Sequence, residues 1–257
     1  MTLEISTSLL IFGAGMLAGI LNGVAGGGGL IGFPTLLLTG VQPINANATN
    51  AAALWLGTVA STVAYRQELS SQRRKLFLLS LISVIGGTLG SYVLLHTSQT
   101  SFAALIPYLL LIATLLFTVS QPLTTWLRSH GKKRYLRLPM SIILLLQLAI
   151  AIYGGFFGGG GGILMLALLN LMGIKNVHVM NAFKSWLATC MNAAALVYFI
   201  AAGAIVWLQA ILMASGALLG GYGSAYFARQ IHPSWVRYFV ISVGFTMTGY
   251  FFLYKAS

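Results

Sequence analysis

One lysine, four asparagines and two runs of glycine carry the chemistry of this chain. Lys184 lies inside the apolar stretch 178–201, with Asn181 three residues before it and Ser185 one after. On a helix, Asn181, Lys184 and Ala188 fall on one face. Asn47, Asn50 and Ala51 hold the corresponding face earlier in the chain. An ammonium in hydrocarbon, with no carboxylate near it in sequence, invites an anion as its partner.

The glycine runs are Gly26, Gly27, Gly28 and Gly29, and Gly158 followed by Gly159, Gly160, Gly161 and Gly162. Consecutive glycines are poor helix formers, and the backbone groups they free are tolerated in a bilayer only inside protein or beside a water-filled cavity. A helix that starts after such a run turns unpaired N–H groups and its positive end towards the break. Glycine also lets the backbone curl into an anion-binding nest. Gly29 and Gly162 are 133 residues apart, and Asn47 and Asn181 are 134 apart, as are Asn50 and Lys184. Broken helices at matching positions in two halves point to a transporter's binding site. The substrate-binding set read from the sequence is therefore Gly26 to Gly29, Asn47, Asn50, Gly159 to Gly162, Asn181 and Lys184. Asn22, Thr49, His178 and Ser185 form a secondary set: Asn22 to satisfy freed backbone, His178 as a group that can titrate near neutral pH. Competing uses stand beside each reading. Glycines also serve close helix packing, a lysine near a helix start can snorkel to the interface, and buried asparagines can bond to neighbouring helices.

The elements that position these residues belong to a membrane protein. Of 257 residues, 58% are hydrophobic and 6% charged, against about a quarter charged in a soluble domain. The 14 Lys and Arg face only two acids, Glu4 and Glu68, with no Asp, for a net charge of +12. Most basic residues fall in short loops, where membrane topology explains them better than nucleic acid does. With no carboxylate in a convincing span, carboxylate proton relays and cation sites have no residues to use, which favours an anionic cargo. A single cysteine, Cys190, excludes an internal disulfide and a Cys-based metal cluster. The residues call for no cofactor, no metal and no catalytic group. No Lys or Arg precedes Arg66, so the first helix is expected to be retained rather than cleaved.

Helices are predicted at 7–23, 30–39, 45–65, 76–96, 102–120, 139–157, 163–173, 178–201, 205–227 and 234–254. The fold class is an all-α integral membrane protein of two homologous halves. It has about eight spanning helices plus glycine-broken half-helices, since 30–39 and 163–173 are too short to span. The halves are 1–121 and 139–257, joined by a basic cytoplasmic linker, 122–138. In the first half the loop holding Arg66, Arg73, Arg74 and Lys75 is basic and the next, 96–101, has no Lys or Arg. In the second half the loop near Ala202 is uncharged and the next carries Arg229 and Arg237. That reversal predicts an inverted repeat with both termini outside.

Together these segments resemble the TauE/SafE permeases, also called the sulfite exporter family. The resemblance rests on Gly19-Ile-Leu-Asn-Gly-Val-Ala-Gly-Gly-Gly-Gly29 with Pro34, Asn47-Ala-Thr-Asn50, Gly155-Phe-Phe-Gly-Gly-Gly-Gly-Gly162 and Met180-Asn-Ala-Phe-Lys184. It extends from Ile11 to Leu253, and the second half carries Ala167 where the first has Pro34. It implies a multi-pass permease of the inner (cytoplasmic) membrane that moves sulfite, sulfoacetate or related sulfur-containing anions, usually outward. The expected function is a secondary transporter or facilitator, with an anion channel or a permease for another small organic anion as alternatives. The expected partners are the small anion and membrane lipids, with a homodimer left open.

Overall fold

The computed structural model describes residues 4–24, 26–130, 139–174, 176–230 and 233–256. Among them the chain is all helix and turn. The helices are α1 (Ile5–Val24), α2 (Gly29–Leu38), α3 (Pro43–Ala64), a 3-10 helix (Arg66–Gln72), α4 (Arg73–Leu95), α5 (Gln99–His130), α6 (Met140–Phe156), α7 (Gly161–Leu171), α8 (Val177–Ala201), α9 (Trp207–Gln230) and α10 (Pro233–Ala256). Sequence signals account for several of the boundaries. Pro43 opens α3 where its missing N–H costs nothing. Asn176 caps α8 by accepting from the His178 N–H at 2.9 Å. Gly40 and Gly173, both at positive φ, close α2 and α7 through the same paired backbone bonds.

Among the described residues, four segments are long and apolar enough to cross a membrane: Ile5–Gly23, Arg74–Leu95, Gln99–Val119 and His178–Ala201. This supports the multi-pass reading and is fewer than the eight spans expected. α3 misses that hydropathy level because it buries a polar series: Asn47, Thr49, Asn50, Thr58, Ser61 and Thr62. The expected linker also begins differently. α5 continues through the first part of 122–138 to His130, while 131–138 lie outside the described residues, as does Lys175.

The packing repeats along the chain. α1 packs on α9 as α6 packs on α4, α3 on α9 as α8 on α4, and α2 on α10 as α7 on α5. Adding 133 or 134 to the first unit's numbers exchanges the partners of each pair. Direction follows from individual contacts. Asn45 Nδ2 donates to the Ala204 carbonyl at 3.0 Å, Val206 N–H to Thr49 Oγ1 at 3.0 Å, and Ser61 Oγ to the Gly221 carbonyl at 3.3 Å. Residue numbers rise together, so α3 and α9 run parallel. α8 ends where α9 begins, so α3 and α8 run antiparallel. They touch where Thr62 Oγ1 meets Thr189 Oγ1 at 3.3 Å. α2 folds back on α1, since a side chain on Gly28 would strike the Ala18 carbonyl.

Small residues permit these approaches. A Cβ on Gly87 would collide with the Met191 carbonyl, whereas one on Gly13 would meet nothing within 4 Å. Gly87→Val is therefore expected to destabilise the fold by about 1–3 kcal/mol through overpacking. Gly13→Ala should be neutral or gain up to ~1 kcal/mol from helix propensity. Thermal melting of both variants in one detergent checks this; equal melting would contradict the packing.

Candidate functional site

The two glycine breaks meet backbone to backbone. A Cβ on Gly26 would stand 2.8 Å from the Gly162 Cα, and one on Gly29 would stand 3.2 Å from the Gly159 Cα. These two contacts are the same contact seen from either half, because adding 133 to Gly26 and Gly29 gives Gly159 and Gly162.

A helix that stops in hydrocarbon leaves its last carbonyls without partners. Here each open end is closed by a side chain from the other half. Lys184 on α8 sends its ammonium to the end of α1, donating to the carbonyls of Asn22 at 2.7 Å and Gly23 at 3.2 Å. Its third N–H goes to Asn181 Oδ1 at 3.2 Å. Asn47 on α3 does the reciprocal job, its Nδ2 donating to the Phe156 carbonyl at the end of α6 at 2.9 Å. Both side chains are 2% exposed. The sequence suggested an unpaired ammonium. The structure instead pairs it with three acceptors, the full set it can donate to, and with the negative end of the α1 dipole. No carboxylate was needed, which is why charge counting missed the partner.

The breaks are tied internally as well. Asn22 Oδ1 accepts from the Gly28 N–H at 2.9 Å, and Tyr153 Oη donates to the Gly159 carbonyl at 2.6 Å. The N–H groups of Gly29 and Gly162 make no hydrogen bond among the described residues.

Between the breaks, α3 and α8 lies a cavity of about 50 Å³. By the ~10–15 Å³ that one water needs, it has room for a few waters or one small oxyanion. Of the residues singled out in the sequence, Asn22, Gly26, Gly29, Asn50, Gly162, Lys184 and Ser185 line it, together with Gly158. Other expected residues lie elsewhere. Gly27 turns towards Phe117 and Gly160 towards Ala113, both on α5. Asn47 and Asn181 are held in the caps just described. Thr49 accepts from the Val206 N–H at the α8–α9 turn, and His178 is exposed beside the Tyr65 ring, 6.4 Å between centroids. Sequence reasoning left Leu54, Thr58, Phe157 and Met191 out, and gave Asn192 no firm place. The signal was available: Ala51 pairs with Ser185, Leu54 with Ala188 and Thr58 with Asn192 at the 134 offset, spaced three and four residues apart along one face.

A chain of apolar helices with two mutually capped breaks beside a cavity that holds a lysine and three asparagines is a polytopic membrane protein of the broken-helix type. It matches the family described as Sulfite exporter TauE/SafE over residues 11–251, and it belongs to that family. Among curated relatives, it is 27% identical over 250 residues to a probable membrane transporter protein of Haemophilus influenzae, covering 96% of this chain and 95% of the relative. It is 27% identical to the probable membrane transporter protein YfcA of Escherichia coli K12, covering 82% of this chain and 77% of the relative. It is 29% identical to the probable membrane transporter protein ORF9 of a Sinorhizobium species, covering 84% and 81%. No solved structure matches it significantly. The chain is a multi-pass membrane transporter of this family.

Gly26 holds φ +83 against the Gly162 backbone, whereas a Cβ on Gly161 would find its nearest neighbour, the Gly154 Cα, at an ordinary 3.8 Å. Gly26→Ala is expected to cost about 1–3 kcal/mol in backbone strain and to part the breaks. Gly161→Ala should fold and melt as wild type does. Indistinguishable melting curves would contradict the contact between the breaks.

Proposed function

We propose that this chain is a secondary transporter or facilitator for small sulfur-containing anions such as sulfite, sulfoacetate and related organosulfonates. It would work in the inner membrane and in the direction of export. The observation that carries this reading is the cavity between the breaks, lined by Lys184, Asn50, Gly29 and Gly162, the last two with N–H groups that find no partner among the described residues, and with no carboxylate among its lining residues. Two helix starts supply N–H donors and positive dipole ends without adding full charges. The one full charge at the cavity is the ammonium. Such a site favours an oxyanion with several acceptor oxygens over a cation or an apolar solute. The family's description names sulfite, and sulfur oxyanions have that shape and charge.

Reciprocal packing under the 133–134 offset fits two units related by a two-fold axis. The alternation of basic and uncharged loops would put that axis in the membrane plane, making the repeat inverted. Counted by direction, α1 with α2, and α6 with α7, would be hairpins that enter and return. Each unit would then cross the membrane three times, through α3, α4 and α5 or through α8, α9 and α10. Residues 1–121 and 139–257 would be the two units and 122–138 would lie on the cytoplasmic side. Rocking of one unit against the other would expose the cavity to each side in turn.

Uptake of sulfite, sulfoacetate, sulfate, thiosulfate and taurine into proteoliposomes tests the cargo. We expect saturable flux of a sulfur anion. Lys184→Met should reduce it about tenfold or more, because a hydrogen bond to a charged group is worth ~1.5–3 kcal/mol. Lys184→Arg, which keeps the charge, should retain more flux than Lys184→Met. Asn50→Leu, which leaves both helix caps intact, should also raise KM. Wild-type flux in Lys184→Met and Asn50→Leu would overturn the site.

A further inference from the structure

Asn192, like Asn50, is a cavity residue in an apolar helix whose amide nothing in the protein explains. It makes no hydrogen bond among the described residues, although it sits near the middle of α8. The neighbouring polar side chains are occupied. Thr58 Oγ1 donates to the Trp55 carbonyl at 2.8 Å, and Thr62 Oγ1 donates to the Thr58 carbonyl at 2.9 Å. Thr189 Oγ1 donates to the Ser185 carbonyl at 2.8 Å. An idle amide at membrane depth is costly unless something else satisfies it.

Its position is special. α3 and α8 are antiparallel, and the Thr62–Thr189 contact puts their crossing near Thr58 and Asn192, which are partners at the 134 offset. Asn50 precedes Thr58 by eight residues and Lys184 precedes Asn192 by eight, about 12 Å along each helix. On antiparallel helices those two steps lead in opposite directions. Asn50 and Lys184 therefore lie to either side of the crossing, and both line the same cavity. Asn192 stands between them, beside the pseudo-symmetry axis.

We propose that Asn192, with Thr58 beside it, is the midway substrate contact of the transport path, a binding residue that the anion meets between the Asn50 end and the Lys184 end. This rests on the anion reading of the cavity and adds the station at its centre. The amide donates N–H to an oxyanion and also offers a carbonyl oxygen. Lys184 only donates. Asn192 thus contributes recognition of an oxyanion through its N–H groups without adding charge that would trap the cargo.

The test uses the full-length protein in proteoliposomes. Cys190 is first replaced by Ala, and Asn192→Cys is introduced as the sole thiol. Val197→Cys, on the outer face of α8 at 65% exposure, is the lipid-facing control. The probe is the charged, water-borne 2-sulfonatoethyl methanethiosulfonate. The thiol of Asn192→Cys is expected to react several-fold faster than that of Val197→Cys, and sulfoacetate should slow it several-fold. A reaction no faster than the control overturns the proposal, because position 192 then faces no aqueous path. Reaction that sulfoacetate does not slow also overturns it as a substrate contact. Sulfoacetate uptake by the unlabelled protein in the same vesicles shows whether the cargo assignment fails as well. Asn192→Leu gives a reading independent of labelling. It should fold, melt as wild type does, and raise KM for sulfoacetate several-fold; an unchanged KM overturns the proposal.

Discussion

Hydrocarbon offers no partner to an open helix end, and the rest of this structure depends on how that constraint is met. α1 and α6 both stop partway through the protein, and the carbonyls of Asn22, Gly23 and Phe156 would be stranded there. The chain closes each end with a side chain from the opposite half: Lys184 on α1, Asn47 on α6. Neither half can complete its own break. Cooperation between the two units is thus built into the hydrogen bonding, and the cavity forms where the two closures face each other.

The closures meet corresponding carbonyls, Gly23 and Phe156, but differ in chemistry and come from positions one helical turn apart, since Lys184 corresponds to Asn50 and Asn47 to Asn181. One is an ammonium with three acceptors; the other is an amide whose Oδ1 finds no partner among the described residues. A symmetric pair of lysines would double the charge in a low-dielectric interior, at a steep desolvation cost. One lysine and one asparagine close both ends and leave a single positive charge. That charge is already engaged by the α1 carbonyls. An anion that binds it must share or displace those bonds, which would link occupancy of the site to the hold on the end of α1.

Much of this was legible in the sequence. The glycine runs, their 133-residue spacing and the apolar composition identified a broken-helix membrane protein, and each predicted helical segment falls on one helix of the structure. Lys184 and Asn50 stood out as polar residues in apolar spans, and Gly29 and Gly162 as members of consecutive glycine runs. What sequence could not supply was direction. Helical periodicity places Asn181 and Lys184 on one face, yet it does not say that α3 and α8 run antiparallel. It therefore could not show that Asn50 and Lys184 line the same cavity from either side of the α3–α8 crossing. Nor does it count backbone carbonyls as partners, so the cap on α1 was invisible and Lys184 looked unpaired. Asn47 had the same fate: its residue type suggested a ligand contact, and its amide is spent on the Phe156 carbonyl.

The central claim is that an oxyanion sits between the two glycine breaks. Selenite has the shape and charge of sulfite and scatters anomalously at the selenium edge. Crystals of the protein soaked in selenite are the most direct test. The account predicts an anomalous peak inside the cavity bounded by Gly29, Gly158, Gly26 and Gly162, within reach of Asn50, Asn192 or Lys184. Selenium found only at the basic loops, with the cavity empty, would contradict it.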